Sequence, residues 1–353
     1  MDTETIKKHT QSQQIMKLWN QFDINEKRTI LSEVSEQTML PDVAIEKDWW
    51  VCIILKALFQ ISCAPYLSFK GGTSLSKAWN IIRRFSEDVD IALNHSFFIE
   101  VTDQLAKEPE NRTQQKKLRK IARKYVNEII SKELDNQLKS FGITDYFITR
   151  EIEVDTDKDP TVIYIRYKSV VEAENEYVTP IVKIEISCLS MSYPVEKRRI
   201  TSYISQYFSD IDELNNCNIQ TVLPSRTFLE KIFLLNEEFM KEKPRYLRMS
   251  RHLYDLEKLM DTEYGLESIK DGKLYNEIVK HRSLFNHKGY IDYSRHEPQL
   301  INIIPPEKQL NKWRDDYQEL QVSFIDNKSL TFDNLIDRIK ELTTRVKGIC
   351  LAE

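Results

Sequence analysis

The adjacent pair Gly71-Gly72 opens the most constraining stretch of this chain, FKGGTSLSKAWNIIRRFSEDVDIAL at residues 69–93. Only seven glycines occur among 353 residues, against roughly 7% in an average protein, so neighbouring glycines need a reason. Glycine loses more backbone freedom on folding than any other residue. A pair between the strand-like Leu67-Ser68-Phe69 and a helix expected over Thr73–Ile82 therefore marks a turn that needs positive φ or a close backbone approach. Free N–H groups at such a helix start, and the positive end of its dipole, suit an anion such as a phosphate. The plainer alternative is a strand-to-helix turn with no ligand. A P-loop is excluded, because Lys77 has serine before it and alanine after it where that motif closes on Gly-Lys-Ser/Thr.

Behind the glycines, Val89, Ile91 and Leu93 alternate with Asp88, Asp90 and Ala92, the pattern of a strand. Asp88 and Asp90 then project from one face of the pleat. Neighbouring carboxylates repel unless a cation sits between them, and Mg²⁺ takes one or two carboxylates together with substrate phosphates. In Ile181-Val182-Lys183-Ile184-Glu185-Ile186-Ser187 the apolar residues again share one face. If that strand lies beside the Asp88 strand, Glu185 completes a three-carboxylate site of the kind used in phosphoryl and nucleotidyl transfer. The competing expectation is a solvated glutamate on an outer face.

The rest of the pattern gives an α+β architecture. Helical spacing runs through Ile15, Leu18, Trp19 and Phe22, then from Ile45 to Phe59 with Pro41-Asp42 as a helix start. One amphipathic helix is expected over Asn111–Ser140, followed by strands over Tyr146–Val154, Thr161–Val171 and Ile181–Ser187, with a turn at Asp155–Pro160. Helices are expected at Thr227–Lys241, Leu247–Met260, Leu274–Leu284, Pro306–Leu320 and Phe332–Val346. We expect an N-terminal domain over residues 1–220, built on a mixed sheet with flanking helices, and a C-terminal helical domain over 221–353.

The net charge of −4 leaves polyanion binding to local patches. Arg112, Lys116, Lys117, Arg119, Lys120, Arg123 and Lys124 form one, and Lys197–Arg199 and Lys241–Arg251 form smaller ones; each taken singly reads as a solvated face. The scattered cysteines, five in all, lack a Cys-x-x-Cys pair and fit a reducing compartment. The N-terminus lacks the apolar core of a signal peptide, and the longest apolar run, Trp49–Leu55, is too short to cross a bilayer. A cytoplasmic protein without membrane contact is expected.

A glycine pair with small hydroxyl residues, a helix, and Arg84-Phe85-Ser86-Glu87-Asp88-Val89-Asp90 resembles the nucleotidyltransferase superfamily with the DNA polymerase β-type fold. Together with Lys70-Gly71-Gly72-Thr73-Ser74-Leu75 the stretch looks like the AbiEii/AbiGii toxin family of type IV toxin–antitoxin and abortive-infection systems. Ile45-Glu46-Lys47-Asp48-Trp49-Trp50, Lys231-Ile232-Phe233-Leu234-Leu235-Asn236, Arg251-His252-Leu253-Tyr254-Asp255-Leu256 and Trp313-Arg314-Asp315-Asp316-Tyr317 are similar to further elements of that family, in order, over residues 40–320.

The resemblance implies a metal at Asp88 and Asp90, a triphosphate at Ser86, nucleotide phosphates at Lys231, a required acid at Asp255, and a phosphate-side turn at Gly71 and Gly72. It leaves open whether Thr73, Ser74 or Ser86 gives the hydroxyl contact. Glu185 as a metal ligand follows the superfamily more than this family. In isolation Lys231 reads as a solvated charge, and Asp255 as the partner of Arg251 four residues earlier; His252 reads as structural. The implied activity is Mg²⁺-dependent transfer of NMP from an NTP to an acceptor such as a tRNA or other RNA 3′ end, by a toxin with a cognate antitoxin. The basic helix at 112–124 would suit an RNA backbone. The alternatives are an idle RNA- or protein-binding module of the same fold, and a transferase acting on a protein or small molecule.

Overall fold

The computed structural model describes residues 19–150, 158–171, 179–211, 216–286, 289–325 and 329–351. Its centre is a mixed sheet of seven strands, β1 (Leu67–Lys70), β2 (Val89–Leu93), β3 (Tyr146–Arg150), β4 (Thr161–Tyr167), β5 (Ile181–Ser187), β6 (Val195–Ile200) and β7 (Cys217–Val222), in the order β3-β4-β5-β2-β1-β7-β6. β2 is thus the middle strand. It pairs antiparallel with β1 and parallel with β5. Alternation supplies the core face: Val182, Ile184 and Ile186 of β5 are buried while Lys183 and Glu185 are half-buried.

Helices cover and extend this sheet. α1 (Ile24–Thr38) starts on a capping box in which Asp23 and Glu26 exchange backbone bonds. α2 (Asp42–Leu58) is buried on nearly every side, with the apolar run Trp49–Leu55 at its centre. Three consecutive charged residues in α2 are buried with it, and each finds a partner on a different element. Glu46 accepts from Ser169 Oγ and Val170 N–H, Lys47 pairs with Glu87 at 2.6 Å, and Asp48 pairs with Lys77 at 2.6 Å. These ties fix α2 against the end of the helix that follows the glycine turn, and against the residue beside Asp88.

The glycine turn leads into α3 (Gly71–Lys77). After β2 come α4 (Arg112–Tyr125), a π-helical turn over Val126–Ile130 and α5 (Ser131–Ser140). Beyond β7 the chain is helical: α6 (Pro224–Phe239), α7 (Ser250–Leu259), α8 (Gly272–Phe285), α9 (Leu310–Phe324) and α10 (Phe332–Lys347). The amphipathic α10 buries Leu335, Ile339, Leu342 and Val346 on one stripe.

The mixed fold agrees with the sequence pattern, and the differences are local. β6 and β7 escaped it. β6 reads Val-Glu-Lys-Arg-Arg-Ile because it is an edge strand, where charges are tolerated and block further pairing. β7 shows a weak alternation, with Ile219 buried between Asn218 and Gln220 and then Thr221 and Val222 both buried. The helix expected to Ile82 stops at Lys77, where Trp79 turns away and donates to the Val222 carbonyl at 3.1 Å. The helix expected from Leu247 begins at Ser250, because Asp316 accepts from the Ser250 N–H at 2.9 Å and so fixes the start. Ile15, Leu18, the end of the strand expected over Tyr146–Val154, and Asp155–Asp157 lie outside the described residues.

Candidate active site

Register across the three middle strands builds one wall of a cleft. Lys70 is the β1 partner of Asp90, and Glu185 is its β5 partner. Asp88 immediately precedes β2, two residues before Asp90, so the condition set for Glu185 is met: its strand lies beside that of the paired aspartates. Burial raises the Asp90 carboxyl to about 6, with Glu185 and Asp88 adding to the rise and Lys70 opposing it. Burial, then Glu87, raises Asp88 as well. Glu185 itself is paired with Lys183 in the same strand. Among the described residues no group of three or more His, Cys, Asp or Glu could hold a metal ion.

The glycines stand where this wall meets α3. Gly71 has φ +81°, and a Cβ added to it would fall 2.1 Å from Asp90 Oδ2. A Cβ on Gly72 would lie 2.6 Å from Arg84 Nη2 and 3.1 Å from Ser86 Oγ. Both reasons for glycine therefore hold at this turn, positive φ at Gly71 and close approach at each. The three candidate hydroxyls separate. Ser74 is fully buried and donates to the Gly71 carbonyl at 2.9 Å. Thr73 is buried, donates to the Asp88 carbonyl and lies 2.9 Å from Ser86 Oγ. Of the three, only Ser86 lines the cleft.

The opposite wall comes from α6, α7 and α8. Asp255 on α7 is fully buried, and the sequence expectation of a surface pair with Arg251 is corrected here. Its carboxylate takes a bidentate pair from Arg84, Nε at 2.7 Å and Nη2 at 2.8 Å, and a third contact from Lys231 Nζ at 2.9 Å. Burial alone would raise the Asp255 carboxyl, but Arg84 and Lys231 hold it well below the usual range. Lys231 is not solvated but buried, and its ammonium is lowered by burial and by the neighbouring Arg84 and Arg251. Burial and Lys231 push His252 far down, so its ring is neutral. Its Nδ1 lies 3.5 Å from Lys231 Nζ.

The cleft between these walls measures about 410 Å³. It is lined by Gly71, Gly72, Ser86, Asp88, Asp90, Glu185 and Lys231 among the residues anticipated from the sequence. Thr73, Ser74 and Asp255 stand behind it and hold the lining in place. Lys77, excluded as a P-loop lysine, lies away from it in its buried pair with Asp48. Sequence reasoning missed Lys70, Lys183, Arg84 and Arg251 as site residues, and all four line the cleft. Lys70 carried a signal, since it ends a strand immediately before the glycine pair. Asn236 and Asp316, singled out in the sequence, serve the fold: Asn236 Oδ1 accepts from the Asn302 N–H at 2.9 Å, and Asp316 caps α7.

A family model described as the nucleotidyl transferase AbiEii toxin of type IV toxin–antitoxin systems matches residues 53–338. Among solved structures the chain is similar in fold to MenT4, a nucleotidyltransferase toxin from Mycobacterium tuberculosis H37Rv. That similarity has a TM-score of 0.50 and 14% identity, and covers 91% of this chain and 90% of that one. No curated protein sequence matches.

Proposed function

This chain belongs to the AbiEii family of nucleotidyltransferase toxins of type IV toxin–antitoxin systems, and on that premise we propose that it transfers NMP from an NTP to an RNA 3′ end with Mg²⁺. The family implies an antitoxin partner and a nucleotide substrate. Among the described residues no helix is long and apolar enough to cross a membrane, and we place the reaction in the cytoplasm, as a growth-arresting response to phage infection. In this reading residues 1–220 supply the acidic wall, and the helical residues 221–353 close the cleft over it and add Lys231.

The observation that carries the reading is the register that aligns Lys70, Asp90 and Glu185 beside Asp88, facing Lys231 across the cleft. Asp88 and Asp90 fit Mg²⁺: they are hard oxygen donors, raised by burial and by neighbouring carboxylates, and substrate phosphates would supply further ligands. Glu185 would have to leave its pair with Lys183 to join them. A metal held there supplies Lewis acidity at the α-phosphate and neutralises triphosphate charge.

The chain's own groups do the rest. The Gly71-Gly72 backbone lets the triphosphate approach, and the Ser86 hydroxyl donates to one of its oxygens. Lys231, aimed by Asp255, contacts a phosphate. The 3′ oxygen of the acceptor attacks the α-phosphorus, the bond to the β-bridging oxygen breaks, pyrophosphate leaves, and the hydroxyl proton passes to a carboxylate oxygen of the acidic group. Incubation with total RNA, labelled NTPs and Mg²⁺ should label RNA with the wild-type protein and not with Asp88→Ala. Equal behaviour of the two proteins with all NTPs and with RNA and protein acceptors would defeat the proposal.

A further inference from the structure

An RNA acceptor must pass the rim of the cleft to reach Asp88 and Asp90, and one part of that rim differs from the rest. Between α6 and α7 the chain runs from Lys241 to Met249 without helix or strand. It carries Lys241, Lys243, Arg245 and Arg248 against the single acid Glu242. Tyr246 and Leu247 are 36% and 67% exposed, and Tyr290, across from Lys241, is 47% exposed. Singly exposed apolar residues are ordinary, but these are interleaved with cations: Lys312 lies 4.9 Å from the Tyr246 ring centre and Lys241 lies 5.5 Å from that of Tyr290.

This segment is held in shape. Buried Glu238 pairs with Lys241 at 2.7 Å and with Arg245 at 2.9 Å, and Arg248 pairs with Glu87, next to Asp88, at 2.9 Å. Arg245 and Met249 line the cleft itself. The other basic surface, α4, is different. Its Lys117, Lys120 and Lys124 are exposed, but its one aromatic residue, Tyr125, is half-buried against Ser62, and no residue of α4 lines the cleft.

We propose that the 241–248 segment together with Tyr290 is the docking surface for the single-stranded 3′ end of the acceptor RNA, and that α4 is not. The inference rests on the RNA-acceptor reading above and adds the path to it. Exposed rings among cations suit unpaired bases and a phosphate backbone, a mode that tolerates sequence. A duplex keeps its bases stacked on one another, so the rings would gain nothing from it. A cleft of about 410 Å³ admits the end of one strand.

The test is fluorescence anisotropy with a short end-labelled single-stranded RNA and the full chain, alongside the labelled-NTP assay. Tyr246→Ala combined with Tyr290→Ala should weaken binding about ten- to a hundredfold. Lys243→Glu should weaken it and flatten its salt dependence. Lys117→Glu with Lys120→Glu should leave binding at the wild-type level, and all variants should keep the wild-type melting temperature. Wild-type RNA affinity and an unchanged KM for RNA in the 246/290 variant overturn the inference, as does an equal loss in the α4 variant. If the wild-type protein labels a protein acceptor and binds no RNA, the acceptor reading falls and this inference falls with it; if it labels RNA while the 246/290 variant behaves as wild type, this inference alone falls.

Discussion

On the sheet wall of the cleft Asp88 and Asp90 sit among other carboxylates and are raised by burial and repulsion, whereas on the helix wall Asp255 sits between Arg84 and Lys231 and is held low. Both walls bury acids, yet on the sheet wall burial and carboxylate repulsion outweigh the nearby lysines, while on the helix wall two cations bond the acid directly. A buried acid that lacks an internal partner costs the fold stability unless something arrives to meet it, the role the proposed function gives to a metal and a triphosphate. A buried acid with a bidentate arginine and a lysine is complete, and its work is to hold those two cations where the cleft needs them. The same residue type thus has opposite duties according to what the fold packs around it.

Removing an acid from each wall should break different properties. Asp88→Ala should lower label transfer on the order of a thousandfold, the scale of losing metal-borne charge stabilisation, while thermal unfolding shows no loss of stability. Asp255→Ala leaves Arg84 and Lys231 buried without their carboxylate. It should cost about 3–5 kcal/mol in denaturant unfolding, and activity should fall only as Lys231 loses its aim. If Asp255→Ala unfolds like the wild type, the helix-wall pair is not the clamp described here.

Gly71→Ala tests the seam between the walls. A side chain at φ +81° costs about 1–2 kcal/mol, and its Cβ would fall on Asp90 Oδ2. Activity should therefore drop further than stability, about a hundredfold for a displacement near 1 Å, as read by transfer rate and melting temperature on the same preparation.

The smallest effect sharpens the contrast through pH. The Asp90 carboxyl is raised from 3.8 to about 6 in the folded chain, so folding favours its protonated form. That contribution is full below about 3.8 and is lost as pH rises through about 6. Asp90→Asn should thus gain about 1–2 kcal/mol over the wild type at pH 7, the discounted worth of such a shift, and no gain near pH 4. Asp255 has the opposite sign: its stabilisation is present above the ordinary aspartate value and fades as pH falls below it. Denaturant midpoints measured without divalent metal check the Asp90 slope between about pH 4 and 8 and the Asp255 slope below about pH 4.

Much of the sheet wall was legible in the sequence because its signals are local. A glycine pair in a glycine-poor chain asks for a special turn, and Asp-x-Asp on an alternating run asks for one shared face. Even Glu185 was reachable, since β5 alternates cleanly. The helix wall was not legible in this way. The helical residues around Asp255 offer Arg251 as the near partner by spacing, and the actual partner, Arg84, lies 171 residues away. Of the 241–249 segment the sequence showed the charge but not the exact path: helix was expected from Leu247, and Asp316, a cap supplied from α9, delays it to Ser250.

The sequence by itself determined which segments could be strands and helices, that the 71–72 turn needs glycine, and that two carboxylates share a face. These follow from dihedral preference and from the periods of strand and helix, which act over a few residues. Only the tertiary structure decided that β5 runs parallel beside β2 with Glu185 against Asp90, that Ser86 faces the cleft while Thr73 and Ser74 turn inward, and that Asp255 clamps Arg84 and Lys231. Those outcomes depend on the path of the chain between distant segments, and local preference leaves that path undetermined.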